Sequence, residues 1–403
     1  MINSTVEARS TLTRVVGVVV AGFVLATTTT NAASRLAKPF VATDLGSLGG
    51  SFSEASAVNA NGLVVGRSYI SGDASYHAFS WSEDDGLKDL GTLGGSFSWA
   101  SAVTDDGVIA GFSYLTGDTT YHAFVWRHGR GLLDLGTLGG PASAVSSMNQ
   151  RGAVIGYSYL PDYTYHAFYW TQARGMIDLG TLGGRFSTAY AINDRGVVVG
   201  AGATAPNDES HAFMWTRDGG MIDLGTLGGA ASVAHGVSDD GVVVGNSQTA
   251  SGENHAFVWS RNTGMIDIGT AGSDSWAEHI GGSHTISGQG YTAAGTRHGL
   301  AWTQRAGLID LGTLGGDTSY ANAVSDLGIV VGGSWTAGNA AWQAFAWSTA
   351  SGMVALETPA GGQSQASAVT NNLIVGYRCD FTACQATLWK PAPRHPGRTF
   401  EER

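Results

Sequence analysis

Short apolar runs separated by polar, glycine-containing turns recur along the chain from about residue 40 onward. In the first complete unit, the alternation of apolar and polar positions predicts strands at 55–59, 63–69, 76–82 and 87–91. Asn-Gly and Asp-Gly pairs predict tight turns between them. Four short strands in about 45 residues are typical of one blade of a β-propeller.

A seven-residue motif, Asp-Leu-Gly-Thr-Leu-Gly-Gly, recurs along the chain at a nearly constant distance. Complete copies begin at Asp89, Asp134, Asp178, Asp223 and Asp310. A near copy begins at Asp44, a degenerate copy begins at Asp267, and a trace remains at 356–362. The starts of the seven aspartate-led copies lie 43 to 45 residues apart. A constant period of this length indicates a repeat architecture.

The predicted third strand of each unit carries a second motif, His-Ala-Phe-x-Trp. Copies begin at His77, His122, His166, His211 and His255, and the motif weakens from His298 onward. Alternate side chains of a strand point to opposite faces, so His, Phe and Trp share one face and Ala lies on the other. We predict that the His-Phe-Trp face packs between neighbouring blades.

The number of predicted strands constrains how the chain closes. There are eight sets of first-to-third strands and eight fourth strands, but the earliest fourth strand, 40–46, precedes every set. Pairing it with the last set, 366–390, builds one blade from both chain ends and removes open sheet edges. We therefore predict an all-β fold, a β-propeller of eight four-stranded blades spanning 40–390. A seven-bladed ring without the degenerate sixth unit is the alternative.

Residues 1–33 have the pattern of a secretory signal peptide, with two arginines before an apolar run at 15–26 and small residues after it. The run is shorter than the ~20 residues of a membrane-spanning helix, and a retained membrane anchor is the alternative. We expect a linker at 34–39 and a disordered, Pro- and Arg-rich tail at 391–403. Once the signal is removed, we expect no membrane span and a periplasmic or extracellular location.

The composition narrows the classes of partner. Charged residues make up 13% of the chain, against about 25% in typical domains, and 60 residues are glycine. This balance favours a β-rich protein with tight turns. The net charge of −11 disfavours nucleic-acid binding, which selects basic surfaces. We expect a monomer.

The sequence contains two cysteines, Cys379 and Cys384. They flank the loop between the second and third strands of the last unit, where Tyr69 and Tyr76 stand in the first unit. An exported chain meets an oxidising compartment, so we predict a disulfide between them. A thiol pair for metal or redox chemistry is the alternative, although the spacing is not Cys-x-x-Cys.

The two alternating motifs resemble those of the HAF-type extracellular repeat family of bacteria. The resemblance covers about residues 40–390 and weakens over the last three units. It implies export and a repeat fold. It implies no enzymatic activity and no catalytic residue.

The repeated histidines are expected to be structural. Stacked sheets lie ~10 Å apart, whereas the ligands of a shared zinc ion lie within about 2.0–2.3 Å of it. A hydrogen bond to a nearby aspartate or carbonyl would satisfy each imidazole, and we predict no metal site and no cofactor. Paired catalytic carboxylates, nucleophile motifs and phosphate loops are absent at recognisable spacing, so no catalytic residue is predicted.

The first strands offer a sharper candidate site. We align them on the apolar residue before the turn and take the residue two positions earlier, which should line the central channel of a propeller. The aligned residues are Ser56, Ser101, Ser146, Tyr190, His235, His284, Asn322 and Ser367. Unit six also has an enlarged connection, 272–282, that contains Glu278 and His279.

From this alignment we predict a ligand-binding site. Its residues are Tyr190, His235, His279, His284 and Asn322. Irregularity in a repetitive chain is often where function is added, and decay of a redundant repeat is the alternative. The function that we predict is an exported binding or structural module whose loops contact a polysaccharide or a surface protein. A secreted polysaccharide lyase or hydrolase with a site at the propeller axis is the alternative, and we favour the module over an enzyme.

Overall fold

The computed structural model describes residues 40–392. The predicted signal peptide, the linker and residues 393–403 of the predicted tail lie outside this range. The last strand extends to Pro391, where the sequence placed the start of the tail. In the described part of the chain, no helix is long and apolar enough to cross a membrane.

Residues 40–392 form 32 β-strands and one short 3-10 helix, Ala337–Asn339. The strands are β1 (Phe40–Gly46), β2 (Gly49–Val58), β3 (Val64–Ile70), β4 (Tyr76–Ser82), β5 (Gly86–Gly91), β6 (Gly94–Val103), β7 (Ile109–Leu115), β8 (Tyr121–Arg127), β9 (Gly131–Asp134), β10 (Ser143–Met148), β11 (Val154–Tyr159), β12 (Tyr165–Thr171), β13 (Gly175–Asp178), β14 (Gly183–Ile192), β15 (Val198–Thr204), β16 (Ser210–Thr216), β17 (Gly220–Asp223), β18 (Gly228–Val237), β19 (Val243–Thr249), β20 (Asn254–Ser260), β21 (Gly264–Asp267), β22 (Ser275–Ile280), β23 (Ile286–Tyr291), β24 (Arg297–Thr303), β25 (Gly307–Asp310), β26 (Gly315–Val324), β27 (Val330–Thr336), β28 (Trp342–Ser348), β29 (Gly352–Ala355), β30 (Gln363–Thr370), β31 (Leu373–Cys379) and β32 (Cys384–Pro391).

The strands form eight four-stranded antiparallel units, which confirms the all-β, β-propeller-like prediction. Unit 1 is β2–β5, each later unit takes the next four strands, and unit 8 combines β30–β32 with β1. The third strand β4 has the predicted bounds. The first strand β2 is longer than predicted, because it begins at Gly49 and not at residue 55.

Every first strand contains a register shift against its second strand that leaves one residue unpaired. Such a β-bulge interrupts the ladder and redirects the side chain of the extra residue. We call these eight positions the bulge residues. They are Ser56, Ser101, Ser146, Tyr190, His235, Glu278, Asn322 and Ser367.

The core lies between the units, as the His-Phe-Trp face predicted. Phe79 and Trp81 of unit 1 pack against Val375 and Leu388 of unit 8, and the side chain of Phe79 is fully buried. The second strand approaches the first so closely at Gly66 that a Cβ there would lie 2.0 Å from the carbonyl oxygen of Glu54. Glycine is therefore required at this position, which recurs in the second strand of every unit.

Buried serines link each unit to the one before it. The amide of Ala78 in unit 1 donates to Ser98 Oγ of unit 2 at 2.8 Å, and Ser98 Oγ donates to the carbonyl oxygen of Gly91 at 2.6 Å. The equivalent serine of each first strand is at most 2% exposed and accepts an amide at 2.8 to 3.0 Å. We call these residues the linking serines. The sequence analysis did not identify them.

The two ends of the described chain meet in unit 8. Strand β1 pairs antiparallel with β32 over Phe40–Gly46. The guanidinium of Arg378, on β31, lies 2.7 Å from the carboxylate of Asp44 on β1, which is the counterpart of the aspartate that pairs with the third-strand histidine in regular units. The amide of Ala386 donates to Ser53 Oγ of unit 1 at 2.8 Å, so units 8 and 1 share the same serine link as the other pairs.

Cys379 and Cys384 form a disulfide, as predicted. Regular units hold the same loop with aromatic pairs, for example Tyr69 and Tyr76, whose ring centroids lie 5.7 Å apart. Cross-strand aromatic contacts of this kind stabilise a hairpin by about 0.2–1 kcal/mol. The disulfide therefore replaces a recurrent packing contact in the unit that contains the C-terminal strand.

Candidate functional site

The repeated histidines have the structural role that the sequence predicted. His77 Nδ1 lies 2.8 Å from the carboxylate of Asp89, which also accepts the amide of Gly91 at 2.7 Å. In six units the His–Asp distance is 2.6 to 2.9 Å. Each aspartate thus fixes both the third-strand histidine and its own turn.

The bulge residues match seven of the eight residues that the sequence alignment selected. In units 1, 2, 3 and 8 they are serines, whereas units 4 to 7 carry Tyr190, His235, Glu278 and Asn322. Unit 6 is the exception, because its bulge residue is Glu278, whereas the alignment selected His284. Residues 275–280, which the sequence placed in an enlarged connection, form β22.

The alignment of His284 is therefore wrong. His284 lies in the turn between β22 and β23 with φ of 56°, at the left-handed position where unit 5 has Gly241. Its Nε2 lies 3.0 Å from both carboxylate oxygens of Asp240 in unit 5. His284 thus links two turns and is not part of the first-strand set.

His235 lies at the centre of the irregular units. Its Nε2 lies 2.9 Å from Asn246 Oδ1, so the ring nitrogen donates to the amide oxygen. The ring centroids of His235 and Tyr190 lie 5.5 Å apart, which joins units 4 and 5. Burial lowers the pKa of His235 from its usual value, while Asn246 and Glu278 oppose that shift. The imidazole is therefore neutral near pH 7 and keeps a second nitrogen that can accept a hydrogen bond.

Glu278 is held by a buried amide. Gln289 Nε2 donates to both carboxylate oxygens of Glu278, at 2.8 and 2.9 Å. Gln289 is only 9% exposed, and its Oε1 is buried without a hydrogen-bond partner in the structure. A buried acceptor without a donor costs about 1–3 kcal/mol. An external hydroxyl that donated to this oxygen would remove that cost.

His279 connects units 5, 6 and 7. His279 is exposed, although protein atoms surround its ring. The surrounding protein lowers the pKa of His279, His235 adds to that shift, and the Glu278 carboxylate and the backbone of Asn322 oppose it. The side chain of Asn322 donates to the carbonyl oxygen of Ala366 in unit 8 at 2.8 Å.

The structure therefore brings together four of the five predicted site residues and adds an acid that was not assigned to the site. We call this group the polar cluster. Its members are Tyr190, His235, Glu278, His279 and Asn322. Among residues 40–392, no three His, Cys, Asp or Glu side chains are placed to hold a metal ion. The cluster offers a carboxylate, two imidazoles, an amide and a phenol, which suit a ligand rich in hydroxyl groups.

The depressed pKa of His235 has a consequence for stability. At a pH between its folded and unfolded pKa values, His235 binds a proton more readily in the unfolded chain. The free energy of unfolding should therefore fall as the pH drops below about 6.5. In urea titrations from pH 8 to pH 5.5, His235→Gln should show a shallower fall than the wild type.

A control for this prediction exists at the same structural position. Ser146 is the bulge residue of unit 3 and does not titrate, so Ser146→Ala should keep the wild-type pH dependence. Parallel pH profiles for His235→Gln and the wild type would contradict the assignment of the pKa shift to His235.

No protein-family profile and no curated protein matches the chain. Among solved structures, the chain is similar to the β-propeller domain of the trilobed protease from Pyrococcus furiosus, which has an open velcro topology. The identity is 12%, the match covers 76% of this chain and 98% of the other, and the TM-score is 0.50. At this identity the similarity concerns the fold alone.

Two further solved structures are similar to this chain with TM-scores below 0.5. Puromycin hydrolase is 13% identical, with 80% of this chain and 57% of the other covered and a TM-score of 0.48. The chain thus spans just over half the length of that enzyme. TolB from Acinetobacter baumannii is 10% identical, with 79% of each chain covered and a TM-score of 0.42.

Proposed function

We propose that the eight units close into an eight-bladed β-propeller and that the bulge residues surround its axis. The pairing of β1 with β32 and the contact of Ala386 with Ser53 support this arrangement. Strand β2 of unit 1 also lies against β30, β31 and β32 of unit 8. Consecutive first strands pack against each other in the same way throughout the chain.

We infer that the protein is an exported module that binds a glycan at the polar cluster. The observation that carries this inference is the change of bulge residue from serine in four units to Tyr190, His235, Glu278 and Asn322 in units 4 to 7. A drifting position would gain unrelated side chains. Here Tyr190 contacts His235 across one unit boundary, and the Glu278 carboxylate acts on the pKa of His235 across the next.

The chemistry of the cluster suits sugars. A sugar hydroxyl both donates and accepts hydrogen bonds, and the cluster presents the carboxylate of Glu278 beside the imidazoles of His235 and His279. Tyr190 is 41% exposed and offers a ring face on which an apolar sugar face can stack. Sites of this kind combine aromatic surface with a few placed polar groups.

Export belongs to the same proposal. The predicted signal peptide at 1–33 and the resemblance to HAF-type repeats support it, and the disulfide Cys379–Cys384 suits an oxidising compartment. A site at the cell surface or in the periplasm would meet polysaccharides.

The test is a polysaccharide array probed with the protein spanning 34–403. Glu278→Gln should weaken binding of any captured glycan by about 10- to 100-fold, because a hydrogen bond to a charged group contributes about 1.5–3 kcal/mol. His235→Ala should weaken it by about 2- to 10-fold, because a hydrogen bond to the neutral imidazole contributes about 0.5–1.5 kcal/mol. Ser146→Ala should bind like the wild type. Thermal unfolding of each variant checks that its fold is intact. Capture of no glycan, or equal binding by folded Glu278→Gln, would contradict the proposal.

A lyase is the second candidate, and one contact favours it. Tyr190 stacks beside His235, and the pKa shifts leave a neutral phenol near a neutral imidazole, a pair that can move a proton. Incubating the captured polymer with the protein distinguishes the two functions. A binding module returns the polymer unchanged, whereas a lyase releases chains with unsaturated ends that absorb ultraviolet light.

A further inference from the structure

Arg297 lies at the boundary between units 6 and 7 and forms no ion pair with any residue of 40–392. Arg297, on β24, places its guanidinium carbon 5.2 Å from the ring centroid of Trp276 and 5.0 Å from that of Tyr320. The side chain is half-buried, and its Nε is buried without a hydrogen-bond partner. The two rings hold the planar cation in a fixed orientation, as stacked arginines generally are.

Arg67 provides an internal comparison. Its guanidinium carbon lies 4.1 Å from the ring centroid of Trp99. Its Nε is buried without an aligned hydrogen bond, as in Arg297, but lies 2.8 Å from the carboxylate of Glu54 and so has a counter-ion. The arginines of residues 40–392 that form ion pairs are Arg67, Arg185 and Arg378. Arg297 therefore has the aromatic contacts of Arg67 but lacks its acid.

The arginine lies next to the polar cluster. Trp276 precedes Glu278 by two residues on β22, and Tyr320 precedes Asn322 by two on β26. Two residues of an extended strand span ~7 Å, which is comparable to one sugar ring. Trp276 also pairs across the ladder with Gln289, whose Oε1 is buried and unpartnered. Arg297 on β24 and Gln289 on β23 are thus both neighbours of Trp276.

We propose that the glycan bound by the polar cluster carries a carboxylate, as a uronic acid residue does, and that Arg297 binds this group. The inference rests on the proposed glycan-binding function. The ligand carboxylate supplies Arg297 with the counter-ion that Arg67 receives from Glu54. Arginine suits this role because its planar fork matches a carboxylate.

A singly charged carboxylate fits better than a sulfate-rich chain. The Glu278 carboxylate lies on the same strand as Trp276, and the whole sequence has a net charge of −11. Both repel a densely anionic polymer. A polymer with one carboxylate per sugar supplies a counter-ion to Arg297 and is repelled less by Glu278 and by the net negative charge than a sulfate-rich polymer is.

The test compares a polyuronate with the same polymer after chemical reduction of its carboxyl groups to alcohols. The wild type should bind the native polymer at least tenfold more tightly, and added salt should weaken only that binding. Arg297→Gln should bind both forms alike, at the affinity of the wild type for the reduced form. Arg67→Gln should keep the preference, because the Arg67 charge is already paired with Glu54.

The ligand pair keeps the two proposals distinguishable. Equal binding of both forms by the wild type would overturn the carboxylate inference and leave glycan binding intact. Tighter binding of a sulfated neutral polymer than of the polyuronate would also overturn it. If the wild type bound none of these polymers, the proposed glycan-binding function itself would be contradicted. Because the polymer comparison uses the wild-type protein, it decides the question even if Arg297→Gln unfolds.

Discussion

Deletion of 34–46, which removes β1, should lower the free energy of unfolding by about 3–6 kcal/mol relative to the protein spanning 34–403. Phe40 and Leu45 are 8% and 5% exposed, and burial of such a side chain contributes about 1.5–3 kcal/mol. The deletion also removes Asp44, the nearest acid to the buried guanidinium of Arg378. Urea unfolding followed by tryptophan fluorescence measures the loss.

The deletion also exposes the edge of β32, which β1 covers in the intact protein. Uncovered strand edges pair with other chains, so size-exclusion chromatography should show self-association. Deletion of 34–39 alone, which leaves β1 in place, is the control and should have little effect. A stable monomer without β1 would show that unit 8 holds together from β30–β32 only, and that the proposed closure contributes little.

Phe257→Ala should cost about 3–5 kcal/mol, the usual loss when a buried phenylalanine is truncated. Phe257 is fully buried and packs between units 4 and 5 against Val199, Ala212 and Leu224. It also covers Gly245, where a Cβ would lie 2.9 Å from its ring. Thermal and urea unfolding measure the effect.

An exposed aromatic residue provides the control. Tyr163 is 73% exposed, so Tyr163→Ala should change the free energy of unfolding by less than about 0.5 kcal/mol. Unit 6 already has a smaller residue, Leu300, where unit 5 has Phe257, and a small cavity lies beside it. A cost for Phe257→Ala no larger than that of Tyr163→Ala would contradict the inter-unit core.

The features that the sequence predicted well are those carried by local, repeated motifs. The His-Phe-Trp alternation identified one of the two buried faces of each third strand; the opposite face is buried as well, since Ala78 is 0% exposed and packs against unit 2. The link between His77 and Asp89 spans only 12 residues within one unit. Counting strands also placed 40–46 with the last unit, where β1 pairs with β32.

The candidate site was predicted less completely because one turn lacks the usual signal. The turn after Ile280 begins with Gly281-Gly282 and has no Asn-Gly or Asp-Gly pair. His284 takes the left-handed conformation that glycine usually takes. An alignment on apolar residues therefore selected Ile286, the first residue of β23, and moved the site from Glu278 to His284.

Contacts between units were the hardest to predict. Ser98 bonds to Ala78, 20 residues earlier, and the pairing becomes evident only when two sheets are stacked. A signal was present, since a serine follows the Gly-Gly pair at the same distance in most units. Gln289 and Arg297 had no such signal, because each differs from the residue at its position in other units.

Under the proposed function, the bulges separate ligand recognition from folding. Each bulge residue lies outside the ladder, while the linking serines, the close-approach glycines and the phenylalanines hold the units together. Substitution at one bulge should therefore alter the inner surface without altering the register of its neighbours. Natural sequences or a designed library can then vary eight positions independently on one constant framework, much as binding loops vary on an immunoglobulin domain. Closely related chains that share this scaffold but bind different ligands would then differ from each other mainly at these eight residues.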